Sequence, residues 1–109
     1  MSLRARHCAP CAGDVPRLSA AAAQSLLTQL DGWTLQDDRL HRRLVYRDFR
    51  AAIGFINRMA EVAEAESHHP DFTVHYRQVD VTIWTHAVGG LTENDFILAA
   101  RIADVIEAA

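Results

Sequence analysis

Six histidines occur in these 109 residues, and four of them (His68, His69, His75 and His86) fall within one short stretch. Imidazole titrates near neutrality, so grouped histidines can give and take protons at physiological pH. His68 and His69 stand directly before Pro70, and His86 stands just before Gly89-Gly90. Plain structural readings exist for each. Histidine near a helix end is favoured by the terminal carbonyls, and His86 can be a strand residue sharing a face with Asp80, Thr82 and Trp84. Convergence favours chemistry: both segments run into irregular chain, where function concentrates. His75 alternates with Val74 and Tyr76 and is expected in solvent, and His7 and His41 are expected at the surface.

Two carboxylates have spacings that could serve these imidazoles. Glu64 precedes His68 by four residues, one helical turn on the same face, where it can orient the ring or hold part of a ligand. Asp95 follows Thr92 by three, the spacing of a capping box with Asp in place of Glu. No His-Glu-x-x-His pattern is present, so no metal centre is expected. Cys8 and Cys11 form a Cys-x-x-Cys pair. Two cysteines make no secreted disulfide framework, and with His7 they fall one ligand short of a closed zinc site. They read as reduced thiols in a loop. All eleven basic residues are arginine, which excludes Schiff-base chemistry on a lysine.

The elements that must position these groups follow from pattern. Residues 1–18 carry two of the three prolines and no apolar periodicity, and are expected to form a flexible arm. Residues 19–109 read as a single domain. Ser19 offers an N-cap to a helix over 20–30, stopped at Gly32. Trp33-Thr34-Leu35 and Leu40-x-Arg42-x-Leu44-x-Tyr46 read as strands around a turn at Gln36–Arg39. Asp48 caps a second helix to about Glu66, with Phe49, Ile53, Ile56, Met59, Ala60 and Ala63 as its apolar face. Strands follow at 72–76 and 79–87, then a third helix from about Glu93 to Ala108. The order α-β-β-α-β-β-α predicts an α+β fold, a four-stranded antiparallel sheet with three helices on one face.

Apolar residues make up 50% of the chain, eighteen of them alanine, and the net charge is −3. That balance argues against a nucleic-acid partner held by a broad positive field. No apolar run approaches the roughly 20 residues of a membrane span, and the start lacks the apolar stretch of a signal peptide. A cytoplasmic protein is expected. Trp84 is expected on the sheet face away from the helices, at an interface between copies, or else as a wall of the site beside His86.

The stretch Glu64-x3-His68-His69-Pro70-x5-Tyr76-x9-His86-x8-Asp95 resembles the signature of the pterin-4a-carbinolamine dehydratases. The resemblance extends through Gly32-Trp33, Tyr46-x-Asp48-Phe49, Gly54-Phe55 and Gly90-Leu91, over about residues 18–107. It implies a hydro-lyase that removes water from a 4a-hydroxytetrahydropterin to give the quinonoid dihydropterin, recycling the cofactor of aromatic amino acid hydroxylation. It implies His68 and His86 as the acid/base pair, His69 as pterin-binding, and Glu64 and Asp95 as supporting groups in the substrate site. Gly90 is added to that site because a bare backbone leaves room for a flat ring. Neither a metal nor a redox cofactor is called for, and a homodimer or homotetramer is implied. Animal members carry an aspartate before the His-His pair, where this chain has Ser67. A role in molybdopterin metabolism, or a non-catalytic assembly or coactivator protein on the same scaffold, are the alternatives; the intact histidine set favours catalysis.

Overall fold

The computed structural model describes residues 3–8 and 15–107; Cys11 and the helix end expected at Ala108 lie outside them. Ser19 opens α1 (Ala20–Leu27) by accepting the Ala22 amide at 3.1 Å. The helix is shorter than the expected 20–30, because the Gln29 and Leu30 amides bond three residues back and tighten the last turn. β1 (Thr34–Gln36) and β2 (Arg39–Val45) then form a hairpin. Its two loop residues, Asp37 and Asp38, have φ of 51° and 59°. That is the doubly left-handed turn whose twist matches paired strands, and aspartate is among the few residues that tolerate it.

Asp48 caps α2 (Phe49–Glu66), its carboxylate accepting the Ala51 amide at 2.8 Å. β3 (Asp71–His75) and β4 (Gln78–Ile83) follow, and α3 (Glu93–Glu107) ends the order. The sheet runs β1-β2-β4-β3, antiparallel throughout. Register places Leu40 opposite Ile83 and Leu44 opposite Val79 on the helix-covered face. There Leu40, Val79, Val81 and Ile83 pack with Ala23 of α1, Phe55 and Met59 of α2, and Phe96 and Ile102 of α3. On the open face Arg43 meets Asp80 at 2.7 Å and His41 meets Thr82 at 3.1 Å. The α+β fold is the expected one.

Two local features differ from expectation. β4 stops at Ile83 instead of running to Ala87, because its neighbours run out: β3 last pairs at Thr82 and β2 at Ile83. Thr85 keeps only a bridge to Gly90, and His86–Val88 winds into a 3₁₀ turn. On α2 the buried row is Ala52, Phe55, Met59, Ala63 and Glu66, while Phe49 and Ala60 are exposed. The stripe is therefore rotated, and it ends on a carboxylate.

Glu66 is buried because residues 3–8 cover it. Leu3 enters the core, the Arg101 side chain donates to the Arg6 carbonyl at 2.7 Å, and Arg6 pairs with Glu93. These contacts bring the Cys8 amide to 2.7 Å from Glu66 Oε1 and His7 Nδ1 to 2.8 Å from Oε2. The described part of the 1–18 segment is thus tied to α2 and α3 by polar contacts, which periodicity cannot reveal. Burial pushes the Glu66 carboxyl up, but the hydrogen bonds from Cys8 and His7 and the nearby Arg101 charge outweigh it and hold it below its ordinary value. A carboxyl lowered on folding stabilises the native state above its unfolded pKa of about 4.3 and loses that contribution as pH falls through its folded value. Glu66→Gln should cost about 1–3 kcal/mol at pH 7. In urea titrations at stepped pH, the gap between wild type and variant should close on acidification below pH ~4. A gap independent of pH would mean that the carboxylate charge is not what binds this segment.

Candidate active site

α2 ends in a Schellman turn: the His68 amide bonds the Ala63 carbonyl at 3.2 Å and the Ser67 amide bonds Glu64 at 3.3 Å. Ser67 supplies the left-handed residue, with φ 52° and ψ 35°. This reversal sends the two histidines apart. His68 turns inward and is buried, whereas His69 stays outside, and Pro70 prevents the helix from resuming.

His68 Nε2 lies 2.6 Å from Asp95 Oδ1. Asp95 is wholly buried, and its other oxygen accepts the Thr85 hydroxyl and the Thr92 amide, each at 2.8 Å. The Thr85 and Thr92 hydroxyls are 2.9 Å apart. All of these contacts are satisfied when Asp95 is ionised, since both its oxygens then accept. The contact with Asp95 Oδ1 fixes the position of the His68 ring. Asp95 has no surface to offer a ligand, so it acts on the site through His68.

His86 reaches the same place from the end of β4. Its ring stacks on Trp84 with centroids 3.8 Å apart and 26° between planes. The Trp84 Nε1 hydrogen is donated to Asp71 Oδ2 at 3.0 Å, and His86 Nε2 lies 3.7 Å from that same oxygen. Arg39 sits over the indole at 4.2 Å. His68, His69 and His86 together line one open cleft of about 370 Å³, with Pro70, Asp71 and Trp84 completing its walls. That volume lies in the range of small-molecule sites, about 300–1,000 Å³. Among the described residues no three His, Cys, Asp or Glu converge as a metal-sized group.

Several sequence expectations change here. Glu64 was expected beside His68; it bonds His69 instead, at 2.6 Å, because the left-handed Ser67 carries His68 off that face. Both partners of the Glu64–His69 pair are well exposed, and such pairs are worth about 0–1 kcal/mol. The room expected over Gly90 is filled: a Cβ there would run into Arg17 and Asp38, which pair across it at 2.5 Å. Gly90 does not line the cleft; it bonds Thr85 through its backbone. Trp84 was expected to be bare in a monomer and so at an interface, but His86 and Arg39 cover its ring and Asp71 takes its N–H. Thr85 was not singled out, although its phase offered a signal. It continues the inward row Val79, Val81, Ile83, and a hydroxyl facing a core must find a partner.

Asp95→Asn tests the network. An amide has one accepting oxygen and one donating nitrogen, so it cannot accept on both sides as the carboxylate does. Unfolding by denaturant should show a loss of about 1–3 kcal/mol. An unchanged midpoint would show that the three hydrogen bonds to Asp95 contribute nothing net.

Residues 16–105 match the family model described as pterin 4 alpha carbinolamine dehydratase. A protein of Dechloromonas aromatica assigned by name to pterin-4-alpha-carbinolamine dehydratase is 43% identical over 106 residues, spanning 97% of this chain and 95% of its own. The mitochondrial pterin-4-alpha-carbinolamine dehydratase 2 of Arabidopsis thaliana is 44% identical over 109 residues, covering 94% of this chain and 58% of the plant protein. Among solved structures, a transcriptional coactivator/pterin dehydratase from Brucella melitensis superposes with a TM-score of 0.78 at 35% identity, over 83% of this chain and 98% of that one. The chain belongs to the pterin-4-alpha-carbinolamine dehydratase family.

Proposed function

We propose that this protein dehydrates 4a-hydroxytetrahydropterins to quinonoid dihydropterins by general acid/base catalysis at His68 and His86, with His69 binding the pterin. The observation that carries the reading is the meeting of all three imidazoles on one cleft, from the end of α2 and the chain beyond β4. In the reaction the C4a–O bond breaks, and the leaving oxygen must take a proton to depart as water. A ring-nitrogen proton is passed to a base as the C=N bond forms. Imidazoles can serve both steps near neutral pH, each contributing roughly 10²–10⁴-fold.

The three histidines are supported differently, which suits a division of labour. His68 is fixed in position by the buried Asp95. His86, backed by Trp84 and close to Asp71, faces solvent at the cleft mouth and can trade protons with water. His69, with Glu64, lies on the exposed wall where a polar ring edge could bond. Regeneration of the cofactor of aromatic amino acid hydroxylation is the pathway we assign. A hydroxylase encoded beside this protein would support it.

Purified protein should accelerate the dehydration in the presence of a chelator. His68→Ala and His86→Ala should each lower kcat by roughly 10²-fold, while His69→Ala should act mainly on KM. Replacing His68 and His86 together should cost far less than the product of the single losses if they act as a unit. Activity lost in chelator and restored by zinc, or a His69→Ala variant with kcat abolished and KM unchanged, would refute these assignments.

Assembly as a homodimer or homotetramer forms part of the same proposal. β3 is an edge strand, and Phe72 on it is 45% exposed; open edges carrying apolar side chains invite pairing. Light scattering should give at least a dimer at micromolar concentration, weakened by Phe72→Glu. A monomeric wild type would end this part of the reading.

A further inference from the structure

A second cleft opens at the other end of α2. Arg50 lies in the first turn of α2, 16 residues before the helix ends at Glu66, about 24 Å along a helix rising 1.5 Å per residue. The two clefts share no residue. This one, of about 490 Å³, lies where the end of β2, the first turns of α2 and the end of α3 meet. Its polar lining is Tyr46, Arg47, Arg50 and Arg58, and Val45 and Ile106 contribute apolar surface.

Three positive charges gather here in a chain whose net charge is −3. Among the described residues, neither Arg50 nor Arg58 has a carboxylate partner. Arg47 has only Asp48, at 3.8 Å, and Asp48 is already committed to capping α2. The interior of the cleft is also unsatisfied. The Tyr46 hydroxyl and Arg58 Nε are both buried and, among the described residues, neither has a hydrogen-bond partner. Native proteins seldom leave such atoms orphaned, and an ion or ligand is a usual reason when they do. Tyr46 cannot readily swing its hydroxyl out to water, since its ring stacks on the core residue Phe55 with centroids 5.5 Å apart. Burial pushes the Tyr46 phenol up, and the positive charges of Arg58 and Arg42 oppose that; Tyr46 and Arg58 both line the cleft.

We infer that this cleft binds a small oxyanion carried on an apolar body, with a phosphomonoester fitting it best: Arg58 and the Tyr46 hydroxyl donate to its oxygens, Arg50 and Arg47 neutralise its charge, and Val45 and Ile106 receive the body. Guanidinium groups present paired donors that match a phosphate, and three of them suit a dianion better than a single carboxylate. The helix terminus is not the attraction, because Asp48 occupies it. The site is separate from the histidine cleft and stands whether or not that cleft performs the proposed dehydration.

Isothermal titration of the intact protein with phenyl phosphate, inorganic phosphate and benzoate tests this. Phenyl phosphate should bind most tightly, with inorganic phosphate about tenfold weaker for want of the apolar body. Tyr46→Phe and Arg50→Gln, changes that keep the ring packing and touch only an exposed charge, should each weaken phenyl phosphate by about fivefold or more. Arg58→Gln should do so more strongly. Dehydration by Arg50→Gln should match wild type. Benzoate binding as tightly as phenyl phosphate, with the same sensitivity to the variants, would support the site and make its natural ligand a carboxylate. No binding of any probe, or binding indifferent to Tyr46→Phe and Arg50→Gln, overturns the inference. So does assembly lost in Arg50→Gln with no probe bound, which would make the cleft a contact between copies of the chain.

Discussion

Burying an ionised carboxylate costs several kcal/mol unless its oxygens are fully engaged, and Asp95 is buried completely. Its engagement draws on three segments: Thr85 just beyond β4, the Thr92 amide at the start of α3, and His68 just beyond α2. The charge also sits in the first turn of α3, where the helix dipole favours an anion. One side chain therefore caps a helix, gathers the ends of two other elements and orients an imidazole. None of these contacts can be lost alone, because an Asp95 missing one partner would leave buried charge or buried donors uncompensated. The placement of His68 is in this sense coupled to the stability of the fold.

The other two histidines are held by weaker means. His69 and Glu64 form an exposed pair, which solvent and salt compete with. His86 depends on a stacked indole and a carboxylate 3.7 Å away. The cleft thus combines one rigid imidazole with two that can adjust. For the proposed reaction such a gradient is useful: proton transfer needs a group already in position, and admission of a bulky flat substrate needs walls that can give. Trp84, His86 and Pro70 line the cleft beside His68 and His69.

Much of this was legible from residue types at fixed offsets. Ser19, Asp48 and the Thr92/Asp95 spacing mark helix starts through local hydrogen bonds, which depend on neighbours in sequence. The β1–β2 hairpin is legible for the same reason, since Asp37-Asp38 can sit left-handed. What escaped was set by contacts distant in sequence or by a single backbone reversal. Glu64 and His68 are one helical turn apart only while the helix continues, and Ser67 ends it in between. Gly90 has no side chain, yet whether space above it is empty depends on Arg17 and Asp38, seventy-three and fifty-two residues away. β4 was read too long because alternation persists to Ala87, whereas a strand lasts only as long as its partners do.

Glu66 shows most clearly why pattern alone misleads. On the buried row of α2 it follows Ala63 by three residues, a place where an apolar side chain would be expected. A reading by hydrophobicity therefore assigns it to solvent and rotates the whole stripe toward Phe49 and Ala60. The carboxylate is tolerated because an amide, an imidazole and a guanidinium reach it, two of them from residues with no periodicity at all. Polar contacts from His7 and Cys8 thus compensate the carboxylate that α2 buries in its last turn. That same turn delivers His68 to Asp95. If residues 3–8 let go, Glu66 would seek water, and the Schellman turn that follows it would be strained or lost. The segment that looks least structured in the sequence consequently bears on the geometry of the site from the far side of the helix.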